Sequence, residues 1–280
     1  MENSILLQHF NSKLNLFQHF FRKTLETQEM EHIHELRVNI KKLRTICTLI
    51  QEASFEKLKK EPCFELFSNL FRVAGMLREA QINLEIIENK QFDFLIPFVQ
   101  YLKNSQDKYS KQLLETMLVF DQEKLQVLNN DLIRNVQNLS NDLVLKESVK
   151  LAIQKTLNVI QLKDALQAKN NLHQIRIQQK AVHELLGILV ELHPDSTLDK
   201  LKDEIKLFNV EIGNWHDYKV LHQALNEFTD KNQDTINVRY FNSLIEGIEK
   251  EQELKQTRLF DILNKHMVRQ QLNLIQNLLN

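Results

Sequence analysis

Four glycines and three prolines among 280 residues leave this chain short of material for turns; an average soluble protein of that length carries roughly 34 of the two together, about 12 per cent. Glycine supplies positive φ and proline a fixed φ, so tight turns must be few. Immunoglobulin-like sandwiches, barrels and glycine-rich nucleotide folds need a turn about every ten residues and are excluded, as are glycine loops that cradle phosphates. Apolar residues recur at three- and four-residue steps almost throughout, within a composition that is 42% hydrophobic and 26% charged. That pattern predicts an all-α protein of long amphipathic helices sharing one large core.

Dividing the chain at its weak helix breakers predicts helices over about 4–24, 29–51, 63–89, 97–119, 121–140, 142–168, 171–192, 197–229 and 234–278. Ser4 is the expected cap of the first, and Pro62 and Pro97 suit first-turn positions. The clearest break is His193-Pro194-Asp195-Ser196, where proline disfavours helix in the residue before it and Asp or Ser can cap the next helix.

Thirty-six Lys and Arg against 37 Asp and Glu give a formal charge of −1, so no global field attracts nucleic acid or an anionic membrane. An anion site must come from local segregation of charge. Cys47 and Cys63 match no metal-ligand spacing and are too few for a disulfide framework, which makes a reducing cytoplasm the expected setting. Residues 1–25 mix Glu2, Lys13, Arg22 and Lys23 among their apolar side chains. No uncharged apolar run approaches the roughly 20 residues that span a bilayer, so neither a signal peptide nor a transmembrane segment is expected.

The chain also resembles itself. His34-Glu-Leu-Arg37-Val-Asn-Ile-Lys41-Lys42-Leu-Arg44 aligns with His173-Gln-Ile-Arg176-Ile-Gln-Gln-Lys180-Ala-Val-His183 at an offset of 139 residues. Ala74-Gly75-Met-Leu-Arg78-Glu79 aligns with Ile212-Gly213-Asn-Trp-His216-Asp217 at an offset of 138. Two segments in the same order at nearly the same offset point to a duplicated helical unit. Repeat 1 is placed at about 4–120 and repeat 2 at about 142–278, joined by a helical linker over 121–141, in a single domain across 1–280.

Helical geometry turns the first segment into a candidate site. His34, Arg37, Lys41 and Arg44 stand at i, i+3, i+7 and i+10, within an arc of roughly 80°; His173, Arg176, Lys180 and His183 make the same stripe. Leu36, Leu43 and Ile46, or Ile175 and Val182, take other faces. Aligned cations repel by a few tenths of a kcal/mol per neighbour on an exposed helix, and by more on a partly buried one, so an anion is the expected counterpart. Weaker pairs at i and i+3, Lys108 with Lys111 and Lys255 with Arg258, extend the candidate set. Glycine inside a helix costs about 1 kcal/mol relative to alanine. Gly75 and Gly213 therefore suggest close helix–helix approach, and Glu79 and Asp217 suit orienting nearby cations.

The paired His-x-x-Arg-x-x-x-Lys helices, each followed about 40 residues later by a Gly-x-x-Arg-Glu type segment, resemble the CHAD (conserved histidine α-helical) domain over about residues 4 to 278. The resemblance implies two four-helix repeats around a basic central channel that binds inorganic polyphosphate, or phosphate and sulfate anions. It also implies association with polyphosphate granules or polyphosphate-metabolising proteins. Position by position, the family's histidines fall on His34 and His173 and its arginines on Arg37 and Arg176. The following cations fall on Lys41, Lys42 and Arg44, and on Lys180 with His183. Its Leu-Gly-x-x-Arg-Asp pattern falls on Gly75, Arg78 and Glu79, and on Gly213, His216 and Asp217. The chain departs from the pattern at Glu79 in place of aspartate, at Ala181 in place of a cation, and at His183 in place of arginine.

Other chemistries fit poorly. His216-Asp217 aligns with Arg78-Glu79, and an arginine is no metal ligand. His183-Glu184 lacks the second histidine of a zinc-protease helix, because Gly187 stands there. Glu31-x-x-His34 has di-iron spacing, but Asn170 replaces the glutamate in the other half. Phe64, Phe67, Phe71 and Trp215 read as core, and no nucleophile elbow is present. No metal or cofactor is expected. Non-catalytic polyanion binding is preferred, with a phosphohydrolase using the same channel and a helical protein-interaction scaffold as alternatives.

Overall fold

A computed structural model describes residues 4–54, 61–90, 92–165 and 171–279, without the side chains at 61–63, 265, 266 and 279. The side chains of Pro62 and Cys63, residue Asn170 and the expected helix end near 168 lie outside the described residues. No glycine serves a turn: Gly75, Gly187, Gly213 and Gly247 all lie within helices, none at positive φ. Among the described residues only Gln28, with φ 51°, enters the left-handed region. Its side chain offsets the strain by tying the first helix–helix turn to a distant helix. Nε2 donates to the Ser110 carbonyl at 3.2 Å, and the Ser110 hydroxyl donates back to Oε1.

Among the described residues the chain forms ten α-helices: α1 (Ile5–Thr27), α2 (Met30–Ala53), α3 (Glu61–Glu88), α4 (Ile96–Leu118), α5 (Gln122–Gln137), α6 (Asn141–Asp164), α7 (Leu172–Leu192), α8 (Ser196–Lys231), α9 (Val238–Ile262) and α10 (Val268–Gln276). No strand occurs among these residues. Caps follow side-chain chemistry. Asp121 accepts from the Lys124 amide at 2.8 Å, Ser140 from Leu143 at 3.2 Å, and Asp195 from Thr197 at 2.6 Å, each satisfying an N-terminal donor. Ser4 precedes α1 but makes no cap hydrogen bond. The expected helix over 234–278 is interrupted by a π-helical turn at Leu263–Met267, after which α10 packs along α6.

Helices pair in the same order on both sides of α5: α1 with α2, α2 with α3 and α3 with α4, then α6 with α7, α7 with α8 and α8 with α9. Across the chain α2 packs on α6 and α7, and α3 on α8. The apolar face of α2, including Ile33, Leu36, Ile40 and Leu43, is almost fully buried. Polar contacts mark two further seams. On α1, His9 stands 3.2 Å from both Glu184 and Glu191 of α7. Gln271 of α10 donates to Thr156 of α6 at 2.6 Å and accepts from Gln179 of α7 at 3.3 Å.

Candidate anion-binding site

On α2 the basic stripe adjoins the buried apolar face, so the same packing that buries Leu36 and Ile40 carries Arg37 and Lys41 into the contact with α7. Arg176 and Lys180 arrive there from the other side. Lys41 and Lys180 come close enough to act on each other's charge, with Arg37 and Arg176 among the neighbouring cations. Burial acts first on all of them. It pushes Lys41 well below the ordinary lysine value, and the charges of Lys180, Arg37 and Arg176 push it further. Lys180 falls to about 8 through burial and then the charges of Arg176 and Arg37, against some support from Asp217. Arg37 falls to about 10 by burial, opposed by Glu79. Each of these shifts states that the charged form is disfavoured in the folded protein.

Two carboxylates partly offset the cations, and both reach across the halves. Glu79 of α3 supports Arg37 and Arg176, whereas Asp217 of α8 supports Arg176 and Arg78. Burial lowers Arg78 and Arg176 more than these carboxylates raise them. Nε and Nη1 of Arg78 and Nε of Arg176 are buried with no hydrogen-bond partner.

Phe71 of α3 organises the first half. The Arg37 guanidinium lies 4.4 Å above its ring, that of Arg44 4.9 Å away and the Lys41 ammonium 5.9 Å. Arg37 Nη1 also donates to the Phe71 carbonyl at 2.8 Å. Gly75 makes room for this: a Cβ there would overlap Nη1 of Arg37. In the second half the rings of His173 and His216 stack with centroids 5.5 Å apart. His173 is lowered by burial first and by His216 and Arg176 next; at the exposed position 34, partial desolvation and then Arg78 lower His34.

The CHAD domain model matches residues 8–226. The chain belongs to the CHAD-domain family. No functionally curated protein matches it. Among solved structures, the crystal structure of the CHAD domain from the plant Ricinus communis superposes with a TM-score of 0.71 at 14% identity, covering 96% of this chain and 90% of that one. At that identity the likeness concerns the all-α fold.

Against this CHAD fold the sequence-derived residues divide. Arg37, Lys41, Arg78, Arg176 and Lys180 are brought together with Glu79 and Asp217, flanked by His34, His173 and His216. Lys42 and His183 are elsewhere: His183 is lowered by burial and neighbours Glu184, Lys42, Lys202 and Lys206. Arg44 turns to α3, donating to the Phe64 carbonyl at 3.2 Å and lying 5.4 Å from the Phe64 ring. Lys108 and Lys111 are exposed on α4. Lys255 lies 4.8 Å from the Tyr218 ring, and the exposed Arg258 is 4.0 Å from Glu211. Apart from Arg44, whose guanidinium stays beside the Phe71 ring, these cations follow their own helix faces away from the α2–α7 contact.

Two expectations need correction. Gly213 has nothing within 4 Å of a Cβ, so no close helix approach explains it, and at Gly75 the close neighbour is a side chain instead of a helix backbone. Of the series read as core from the sequence, Phe67 is buried at 1% exposure and Phe64 is exposed at 40%, while Phe71 packs partly buried against the core with cations over its ring. Its signal was its position one turn before Gly75, on the same face. Lys219, 5.5 Å from the Trp215 ring and acting on His173, was also missed. Among the described residues no group of three or more His, Cys, Asp or Glu could hold a metal ion.

Gly213→Ala should stabilise the protein by roughly 1 kcal/mol through helix propensity. Gly75→Ala should destabilise it, because displacing the Arg37 guanidinium loses a charged hydrogen bond worth about 1.5–3 kcal/mol. Urea unfolding of both variants checks this, and shifts of the same sign would contradict the steric role of Gly75.

Proposed function

We propose that this protein binds inorganic polyphosphate, without processing it, through a basic channel at the α2–α7 contact. The observation that carries the reading is the convergence of Arg37, Lys41, Arg176 and Lys180 from both halves, in surroundings that depress the charge of each. A polyanion reverses that penalty. Polyphosphate carries about one negative charge per internal phosphate and has no base or ring to read. Arginine forks and flexible lysine ammoniums therefore suffice for recognition. The buried N–H donors of Arg78 and Arg176 suit phosphate oxygens, and the family resemblance seen in the sequence points to the same ligand. The repeats at 4–120 and 142–278 would each supply one wall, the second with His216 where the first has Arg78. No helix among the described residues is long and apolar enough to cross a membrane, and the proposed setting is the cytoplasm, at polyphosphate granules or beside polyphosphate-metabolising proteins.

Phosphoryl transfer needs metal-held carboxylates or a tuned base beside the ligand. Here Glu79 and Asp217 are engaged with arginines, which favours binding over hydrolysis.

Polyphosphate at about 100 times its dissociation constant should stabilise the protein by about 2.7 kcal/mol in a thermal melt, with no phosphate released on adding Mg²⁺ or Mn²⁺. Replacing Arg37 and Arg176 by alanine should weaken binding and flatten its salt dependence, since counterion release scales with phosphate contacts; unchanged affinity rejects the site.

A pH series gives a second check. Lys180, His34 and His173 are held below their ordinary values, and a bound polyanion raises them, so binding takes up protons. Affinity should tighten as pH falls from about 8 to about 6, by up to tenfold per unit for each proton taken up. For the unliganded protein the sign is set by the depressed lysine. Between its folded value of about 8 and the ordinary 10.5 the unfolded state binds more protons, so Lys180 adds stability as pH rises through that window. An affinity independent of pH would contradict the role given to these groups.

A further inference from the structure

Arg37 and Arg44 stand seven residues apart on α2, and Phe71 and Phe64 stand seven residues apart, in the opposite order, on α3. Seven residues are close to two helical turns, so the antiparallel pair α2–α3 brings an arginine and a phenylalanine together twice. Both meetings use the same two contacts. Arg37 Nη1 donates to the Phe71 carbonyl at 2.8 Å with its guanidinium 4.4 Å from the ring centre. Arg44 Nη2 donates to the Phe64 carbonyl at 3.2 Å with its guanidinium 5.4 Å from that ring. Phe71 is shared more widely. The Arg44 guanidinium also lies 4.9 Å from its ring and the Lys41 ammonium 5.9 Å, so three cations stand around one aromatic side chain.

An aromatic face attracts a cation through its quadrupole. This attraction differs from an ion pair in two ways: it cancels no charge, and it occupies none of the N–H donors of a guanidinium or ammonium. Cations gathered by carboxylates would present little field to an incoming anion, whereas cations gathered by a ring keep both their field and their donors. We propose that Phe71 is the positioning residue of the anion site. Its ring gathers Arg37, Lys41 and Arg44 before any ligand arrives, so a polyanion meets cations that are already assembled and still charged. The inference rests on the binding function proposed above and names the side chain that prepares the site for it.

The surroundings of the ring agree with this role. Gly75, one turn after Phe71 on α3, leaves the space that Arg37 Nη1 fills, so the backbone beside the ring admits the guanidinium. At the matching position of the second half Asn209 donates to the Gln179 carbonyl at 3.4 Å, and no ring gathers cations there. Phe71 also packs partly buried against the core. Removing its bulk therefore disturbs packing as well as the cations, and a decisive test alters the charge distribution of the ring while keeping its shape.

Fluorinated phenylalanines make that change, because fluorine withdraws electron density from the ring face at nearly constant size. The experiment places phenylalanines of increasing fluorine content, up to pentafluorophenylalanine, at position 71 of the full chain. It measures the affinity of each variant for polyphosphate of defined length by calorimetry at one salt concentration, and its urea midpoint without ligand. Affinity should fall stepwise with fluorination, by about tenfold at full substitution, while the urea midpoint does not fall in step, since the apolar bulk of the ring is kept. Phe71→Leu, which removes the ring, should bind at least as weakly as the fully fluorinated variant. Affinity that ignores fluorination overturns the proposal, as does a fall in affinity matched by a parallel fall in the urea midpoint, which marks the ring as structural. The outcome separates from the binding function itself. Tight binding by the parent that fluorination leaves unchanged rejects the role of Phe71 alone, whereas a parent that does not bind polyphosphate rejects the channel and this role together.

Discussion

Burial of like charge at the α2–α7 contact is the constraint around which the rest of the structure is arranged. Desolvation is the first cause of the shift at Arg37, Lys41, Arg176 and Lys180, ahead of any single neighbouring charge. Folding must therefore overcome an unfavourable term at the centre of the contact between halves. The apolar faces beside it, among them Leu36, Ile40, Leu43 and Leu185 at 0–1% exposure, supply that stabilisation, because hydrophobic burial is worth about 25 cal/mol per Å². The helices that carry the cations are held by this apolar packing, and Arg37 is fixed further by the Phe71 carbonyl and ring.

The two halves meet this constraint differently. In the first, Phe71 gives the cations an aromatic face and Gly75 clears space for a guanidinium. In the second, the positions matching Phe71 and Arg78 are Asn209 and His216. Asn209 donates to the Gln179 carbonyl at 3.4 Å, and His216 stacks on His173. The first half thus sets its cations against an aromatic ring, whereas the second stacks histidine on histidine. Glu79 and Asp217 each support an arginine of the opposite half, so neither half is electrostatically complete alone.

Much of this was legible in the chain itself. The scarcity of glycine and proline and the helical period gave the all-α fold, and Asp195 caps α8 as the break at Pro194 suggested. The stripe geometry correctly grouped Arg37 with Lys41 and Arg176 with Lys180. It could not show which end of each stripe reaches the contact. Arg44 and His183 share the arc of Arg37 and Arg176 but lie farther along their helices, beside Phe64 and Glu184. The π-helical turn at Leu263–Met267 left no mark, since its residues keep an ordinary helical pattern. Phe71 was hidden because an aromatic at helical spacing looks the same whether it packs against leucines or under guanidiniums, and His9 because its carboxylate partners are 175 and 182 residues away.

The stability of Lys41→Met without ligand tests the central claim most directly. Methionine keeps the length and apolar packing of the side chain and removes its amine. If the cations at the α2–α7 contact oppose folding, the variant unfolds at higher urea than the parent, by about 1–2 kcal/mol in line with replacement of other buried charges by apolar groups. Its response to polyphosphate shrinks at the same time. A variant less stable than the parent, with its polyphosphate response intact, would show instead that Lys41 is an ordinary structural lysine and that the contact carries no electrostatic penalty for an anion to relieve.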